Sequence, residues 1–290
     1  MTIAACHLSR EGVVLGADSA TTLSGPHVGT CHLDHAQKLF EVGPPGSTIG
    51  LVTWGQGFIG AESHRTIAAT IGHEHLKAPF GSVQDMAEKL AKDLWSRFAA
   101  AYSAEIAEAQ NLMAKFATST NTPEELEKLE NLLQRCTGGY CLAGRVEPFG
   151  QCHAYEILWG PLQTKCNFRE LQGESPIFWG VPQIMQRLLY GFDNALMADI
   201  LASGKWSGNE KDLIDIVAKH QLISPRLLPI REAIDWVHTV IHTTIRGTKF
   251  ANWPHWCGGP VEIAAITTDR QFRWVRHKEL DSAIITAEES

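Results

Sequence analysis

The sequence is defined first by what it lacks. No apolar run reaches the ~18 residues needed to cross a bilayer, and the first residues carry no basic stretch followed by an apolar one. Neither a membrane span nor a secretory leader is therefore expected. Basic residues do not predominate: 25 Lys and Arg stand against 32 Asp and Glu, for a net charge of −7. They are also scattered, which argues against nucleic-acid binding through a basic face. Seven cysteines (Cys6, Cys31, Cys136, Cys141, Cys152, Cys166 and Cys257) form no CxxC pair. Their odd number and irregular spacing give no disulfide framework and no structural zinc signature, so reduced thiols in a cytoplasmic protein are expected. The HExxH string of a zinc peptidase is missing, and His73 and His75 lie two apart, on different faces of a helix. "GPPGS" lacks phosphate-loop spacing. No cofactor and no metal are implied.

What remains is ordinary for a soluble globular chain with a sizeable core: 44% hydrophobic and 20% charged residues over 290 positions. "TIAACHL" and "GVVLGADS" are apolar runs split by the turn "SREG" and read as a hairpin. "KLFEV" and "STIGLVTWG" repeat that pattern around "GPPG". "GAESHRTIAATIGHEHL" then reads as a helix, and Ser82 with Asp85 suggests a capping box. From Val83 through Leu90, Phe98 and Ile106 to Phe116 an apolar stripe holds helical spacing for over thirty residues, as core or subunit interface. Thr122, Pro123, Glu124 and Glu125 open a further helix as N-cap, first position and acidic first turn. "GGYCLAGRV" and "QCHAYEILWG" return to strands, and "SPIFWGVPQIMQRLLYGF" opens another helix. Residues 194–224 read as interrupted helix, "PIREAIDWVHTVIHTTIR" as a helix, and "GGPVEIAAITTD" with "QFRWVRH" as a closing hairpin. Strands joined by short turns imply antiparallel pairing, and blocks of strands alternating with blocks of helices imply a layered α+β fold. No repeat or low-complexity linker marks a boundary, so residues 1–290 are expected to form one domain, with helical insertions at about 85–136 and 190–225.

The chemistry-bearing candidates begin with Thr2. A methionine aminopeptidase trims Met1 when a small residue follows, leaving a threonine with a free α-amine. One residue then holds a hydroxyl nucleophile and a base whose ordinary pKa is ~7.7–8.0. On position alone Thr2 is simply the residue after Met1. Asp18 closes the apolar run "GVVLGADS", as a turn residue or as a placed charge. Lys38 enters the strand "KLFEV", as a solvated edge lysine or as the buried partner of Asp18. A positive charge there would favour a neutral, basic amine. Gly55 ends the strand "VTWG", as a turn glycine or as a backbone N–H aimed at a developing oxyanion. Cys6 sits mid-strand and reads as core, and the nine tryptophans read as packing rather than as a substrate groove.

Together, "TIAACHLSREGVVLGADSATT", "QKLF", "TWGQG" and the closing "CGGPVEIAAIT" resemble the β-type proteasome subunits, with their bacterial relatives HslV and Anbu. Asp18 stands sixteen residues after Thr2, as in that family, whereas Lys38 stands about four residues later than usual, behind a longer turn around "GPHVGTCH". The likeness covers the first ~60 residues well and residues 138–180 and 255–280 in outline. It implies an N-terminal-nucleophile hydrolase: a four-layer αββα sandwich of two antiparallel sheets covered by helices. It further implies Thr2 as nucleophile, its amine as base, Lys38 tuning the amine, Asp18 orienting Lys38, and the Gly55 N–H as oxyanion hole. Of the family's serine pair only Ser175 survives, in "QGESP", with Gly173 at the first place. The family's later aspartate falls near Thr248, where no acid stands.

The implied activity is peptide-bond hydrolysis on peptide or unfolded-protein substrates, in a homo-oligomeric ring or spiral, with no nucleic acid or membrane partner. The sequence does not identify an ATP-dependent unfoldase. Two alternatives stay open: an amidase of the same fold acting on small acyl-amides, and a non-catalytic proteasome-like assembly subunit.

Overall fold

The computed structural model describes residues 2–25, 29–116, 122–172, 177–221, 228–252 and 257–278. Four strands open the chain: β1 (Ile3–Ser9), β2 (Gly12–Ala17), β3 (Thr21–Gly25) and β4 (Gly29–Leu33). Next come β5 (Leu39–Glu41), β6 (Ile49–Gly55), β7 (Phe58–Ile59) and β8 (Glu62–Ser63). A helical block holds α1 (His64–Lys77), α2 (Val83–Ala101), α3 (Ser103–Phe116) and α4 (Pro123–Cys136). Strands β9 (Gly138–Gly144), β10 (His153–Trp159), β11 (Asn167–Glu170) and β12 (Ile177–Gly180) lead to α5 (Gln183–Tyr190), α6 (Asn194–Ala202), α7 (Glu210–Ala218) and α8 (Ile230–Thr248). The hairpin β13 (Glu262–Thr267) and β14 (Arg273–Arg276) follows.

Two five-stranded sheets carry the fold, in the orders β12-β1-β2-β13-β14 and β11-β10-β9-β6-β5, with every pairing antiparallel. Strand alternation explains why "IAAC" is apolar without a break. Ala4 and Cys6 enter a core shared with Val52, Trp54, Cys141 and Ala154 of the other sheet. Ile3 and Ala5 face Met185 of α5 and Val237 and Ile241 of α8. A strand covered on both faces reads as a continuous apolar run rather than an alternating one. The outer face of the second sheet buries Leu51, Tyr140, Leu142 and Trp159 against α1 and α2. On α2, Met86, Leu90, Leu94 and Phe98 recur at helical spacing and are fully or nearly fully buried.

Several local expectations hold, and others need correction. Thr122 and Glu125 form a reciprocal capping box with Pro123 in the first turn. At Ser82 only half of the expected capping box forms: its side chain accepts from the Asp85 N–H, without the reciprocal bond seen at Thr122. The stripe from Val83 to Phe116 belongs to two helices: α2 stops at Tyr102, whose backbone leaves helical values at φ −122°, and Met113 and Phe116 on α3 are exposed. The helix expected from Gly60 starts at His64, because Phe58–Ile59 and Glu62–Ser63 pair as a small hairpin. "IFWG" is a strand rather than the start of a helix. Its β-prone residues pair with β1, Ile177 opposite Cys6 and Gly180 opposite Ile3, and the helix begins only after Pro182. The longer turn before Lys38 contains the hairpin β3–β4, with Thr21 opposite Leu33. Among the described residues no helix is long and apolar enough to cross a membrane.

Leu94 is fully buried under the second sheet, whereas Lys92 on the same helix is exposed. Thermal or denaturant unfolding should show Leu94→Ala costing ~2–5 kcal/mol and Lys92→Ala changing stability by less than ~0.5 kcal/mol.

Candidate active site

Asp18 lies just past the end of β2 with no exposed surface, and a carboxylate there must be fully paired. Its Oδ1 accepts from Lys38 Nζ at 2.7 Å and from the Ile3 N–H at 3.1 Å. Its Oδ2 accepts from the Gly258 N–H at 3.0 Å and from the Ala20 N–H at 3.3 Å. The Asp18 N–H returns a bond to the Ile3 carbonyl at 3.1 Å. One carboxylate thus joins the head of β1, the entry to β5 and the loop before β13. Lys38 is itself buried, so this pair is shielded from solvent on both sides.

Thr2 immediately precedes the Ile3 amide held by Asp18 and is 4% exposed. Its carbonyl accepts from the Val181 N–H at 3.0 Å. This closure depends on Gly180, which has φ +92° and packs so tightly that an added Cβ would lie 1.7 Å from the Thr2 oxygen. The backbone of Thr2 is therefore clamped on both sides.

Gly55 ends β6 with φ +82° and is exposed, while the six residues before it are buried. The Thr53 N–H bonds the Lys38 carbonyl at 2.9 Å. Strand alternation turns the Gly55 N–H to the same edge, beyond the start of β5 at Leu39. A side chain at position 55 would strike the Thr137 carbonyl at 2.5 Å. Thr2, Asp18, Lys38 and Gly55 thus gather at one end of the paired sheets. Ser175 and Gly173 lie outside the described residues. Thr248, the place of the family's later aspartate, is the last residue of α8, and its buried hydroxyl donates to the Ile245 carbonyl at 3.0 Å.

No family model matches the chain, and no curated protein matches its sequence. Among solved structures, the Gly-1 mutant of Anbu from Hyphomicrobium sp. strain MC1 superposes with a TM-score of 0.51 at 14% identity, covering 100% of this chain and 92% of that one. The fold is similar to that of Anbu. Anbu, the ancestral beta-subunit, from Yersinia bercovieri also matches, with a TM-score of 0.44, 12% identity, and coverage of 99% and 92%. At this identity the likeness concerns the fold, a proteasome-related one.

Several groups at the site carried no individual signal in the sequence. Gly258 supplies an N–H to Asp18, and its carbonyl accepts from Ser19 and Ala20 at 3.0 Å each. "CGGP" marked the resemblance but not that role. Beside it the Cys257 thiol is pushed up to about 12, first by burial and then by the Asp18 charge, so it stays a thiol near neutral pH. Glu262, fully buried opposite Ala17, faces His277 Nδ1 at 2.8 Å and Lys278 Nζ at 3.5 Å, contacts without hydrogen-bond geometry. Burial lowers the Lys278 ammonium, and the charges of Lys38 and Arg65 push the same way while Glu262 opposes them.

The remaining group is His64, the first residue of α1, buried next to the Gly55 turn. Its Nε2 lies 2.7 Å from the Gln56 carbonyl and its Nδ1 lies 2.7 Å from the Tyr140 hydroxyl. A carbonyl only accepts, so Nε2 carries the proton and Nδ1 accepts from Tyr140. Burial lowers the imidazole to about 4, the Gln56 carbonyl opposes that, and the Lys38 charge adds to the lowering.

Two outcomes follow. Asp18→Asn and Lys38→Met should each destabilise the protein by ~3–5 kcal/mol, since each leaves a buried partner without its counter-charge, and the double variant should cost clearly less than the sum in chemical denaturation. Because folded His64 resists protonation, the unfolded chain takes up that proton first. The contribution of His64 to stability should therefore fall as pH drops from 6.5 to about 4 and level off below that. Unfolding curves across that window should show the wild type losing on the order of 3 kcal/mol more than His64→Gln.

Proposed function

We propose that the protein is a threonine-type amide-bond hydrolase, a proteasome-like peptidase whose nucleophile is Thr2 after removal of Met1. One observation carries this reading: the buried Asp18 carboxylate holds both the Ile3 amide and Lys38 Nζ on the same oxygen, which fixes Thr2 next to a lysine charge. The Anbu-like fold and the position of Gly55 support it. Three of the buried clusters, one between the sheets and one outside each, support the four-layer αββα description and a single domain over residues 1–290.

In the proposed reaction the Thr2 Oγ attacks the substrate carbonyl carbon as its proton passes to the α-amine, directly or through a water. The positive charge of Lys38 favours the neutral, basic form of that amine beforehand, and Asp18 keeps Lys38 in place. The carbonyl oxygen becomes an oxyanion facing the Gly55 N–H. The C–N bond then breaks, the amine returns its proton to the leaving nitrogen, and an ester to Thr2 remains. Water, deprotonated by the same amine, attacks the ester, releases the acid and restores the threonine. Assembly into a homo-oligomeric ring or spiral, and a cytoplasmic location, belong to the same reading through the family resemblance.

Intact mass of the native protein treated with a peptidyl β-lactone tests it. The expected result is a chain that begins at Thr2 and gains one adduct, with no adduct on Thr2→Ala. The labelling rate should rise with pH through the neutral range as the α-amine, ordinarily ~7.7–8.0 and lowered by Lys38, loses its proton. A chain that retains Met1 and ignores the lactone would instead support a non-catalytic assembly subunit.

A further inference from the structure

We propose that His64 is a positioning residue for the Gly55 N–H: bridging Tyr140 and the Gln56 carbonyl, it fixes the turn whose amide receives the oxyanion. The proposal rests on the reading of Thr2 as nucleophile and adds a device that the four gathered residues do not contain. Gly55 needs such a device. It is exposed, has no side chain, and sits at the last position of its strand with a left-handed backbone, so little of its own holds its amide in one direction. The residue after it is held at every polar group. The Gln56 N–H donates to the Thr137 carbonyl at 3.0 Å, and the Gln56 carbonyl accepts from His64. Its side-chain oxygen accepts from Trp159 Nε1 at 3.0 Å, and its side chain also engages the Tyr102 hydroxyl.

His64 links the Gln56 carbonyl of this turn to the rigid interior, alongside the Trp159 bond to the Gln56 side chain. It is 6% exposed, and the rings behind it, Tyr140 and Trp159, have no exposed surface. Tyr140 meets His64 edge-on, with centroids 5.4 Å apart at 85°, and Trp159 packs on Tyr140 at 5.1 Å. Tyr140 and Trp159 stand on β9 and β10, so the chain of contacts runs from two central strands through an imidazole into the Gly55 turn. The Ser63 cap fixes the imidazole from its own side, because Ser63 Oγ accepts from the Thr66 N–H at 3.1 Å and sets the first turn of α1. A neutral histidine suits the place: it donates to the carbonyl and accepts from the phenol without adding a second cation beside Lys38.

The test combines β-lactone labelling kinetics with amide exchange in the native protein and its His64→Ala, His64→Gln and Tyr140→Phe variants. Deleting an oxyanion donor outright costs ~10²–10³ in rate, so loosening one should slow the maximal labelling rate of His64→Ala by about tenfold or more, with half-saturation unchanged. Exchange of the Gln56 amide, which is bonded to the Thr137 carbonyl, should quicken in parallel. Glutamine keeps both a donor and an acceptor, so His64→Gln should restore both readouts to within about threefold of wild type. Unchanged labelling and exchange in His64→Ala would overturn the proposal, as would slowed labelling with unchanged exchange. If His64→Ala does not fold, Tyr140→Phe, which removes one hydroxyl, decides in the same way. A wild type that ignores the lactone removes the Thr2 reading, and the exchange of the Gln56 amide then decides separately whether His64 holds the turn.

Discussion

The buried ion pair between Asp18 and Lys38 is the contact on which the rest of the site depends. A carboxylate with no exposed surface is tolerated only when its lone pairs are occupied, and here four donors from four parts of the chain meet it. Replacing such a pair by apolar residues is often neutral for stability, so its presence points to a need for placement rather than for stability alone. It places the Thr2–Ile3 peptide at one end of β1, and Gly180 and Val181 close the other side of the same residue. A nucleophile whose own amine acts as base requires this kind of clamp, because the base moves whenever the backbone moves.

The fold supplies the clamp by covering β1 on both faces. Ala4 and Cys6 pack between the sheets while Ile3 and Ala5 pack under α5 and α8, so the first strand of the chain lies in the interior of its sheet. The second sheet delivers Lys38 and Gly55 on neighbouring strands, joined by the Thr53 bond to the Lys38 carbonyl. That single ladder bond sets how far the lysine lies from the candidate oxyanion donor. Long-range sheet register, rather than a local motif, therefore fixes the spacing of the groups.

Much of this was legible in the sequence because it is encoded locally. The uninterrupted apolar character of "IAAC" and the terminal positions of Asp18 and Gly55 follow strand rules, and the Thr122 capping box follows helix rules. The Asp18–Lys38 pairing was legible only as one of two readings of each residue, and the structure settles that they meet. Other features were not legible because they arise from tertiary contact. "IFWG" became a strand only because β1 offers it an edge, and the long stripe broke at Tyr102. His64 reads as an ordinary helix-start residue until Tyr140, 76 positions away, is folded against it. Gly258 belongs to the same class, since its role depends on Asp18, 240 positions away, and so does Glu262, which the neighbouring strand β2 places opposite Ala17.

A substrate carbonyl bonded to Thr2 has to lie with its oxygen at the Gly55 N–H. The most direct measurement is a crystal structure of the β-lactone-treated protein. The expected result is an ester to Thr2 Oγ, a free α-amine on the same residue, and the ester carbonyl oxygen ~2.7–3.1 Å from the Gly55 nitrogen. An adduct on another residue such as Cys257, or a Thr2 ester whose oxygen points away from Gly55, would contradict it.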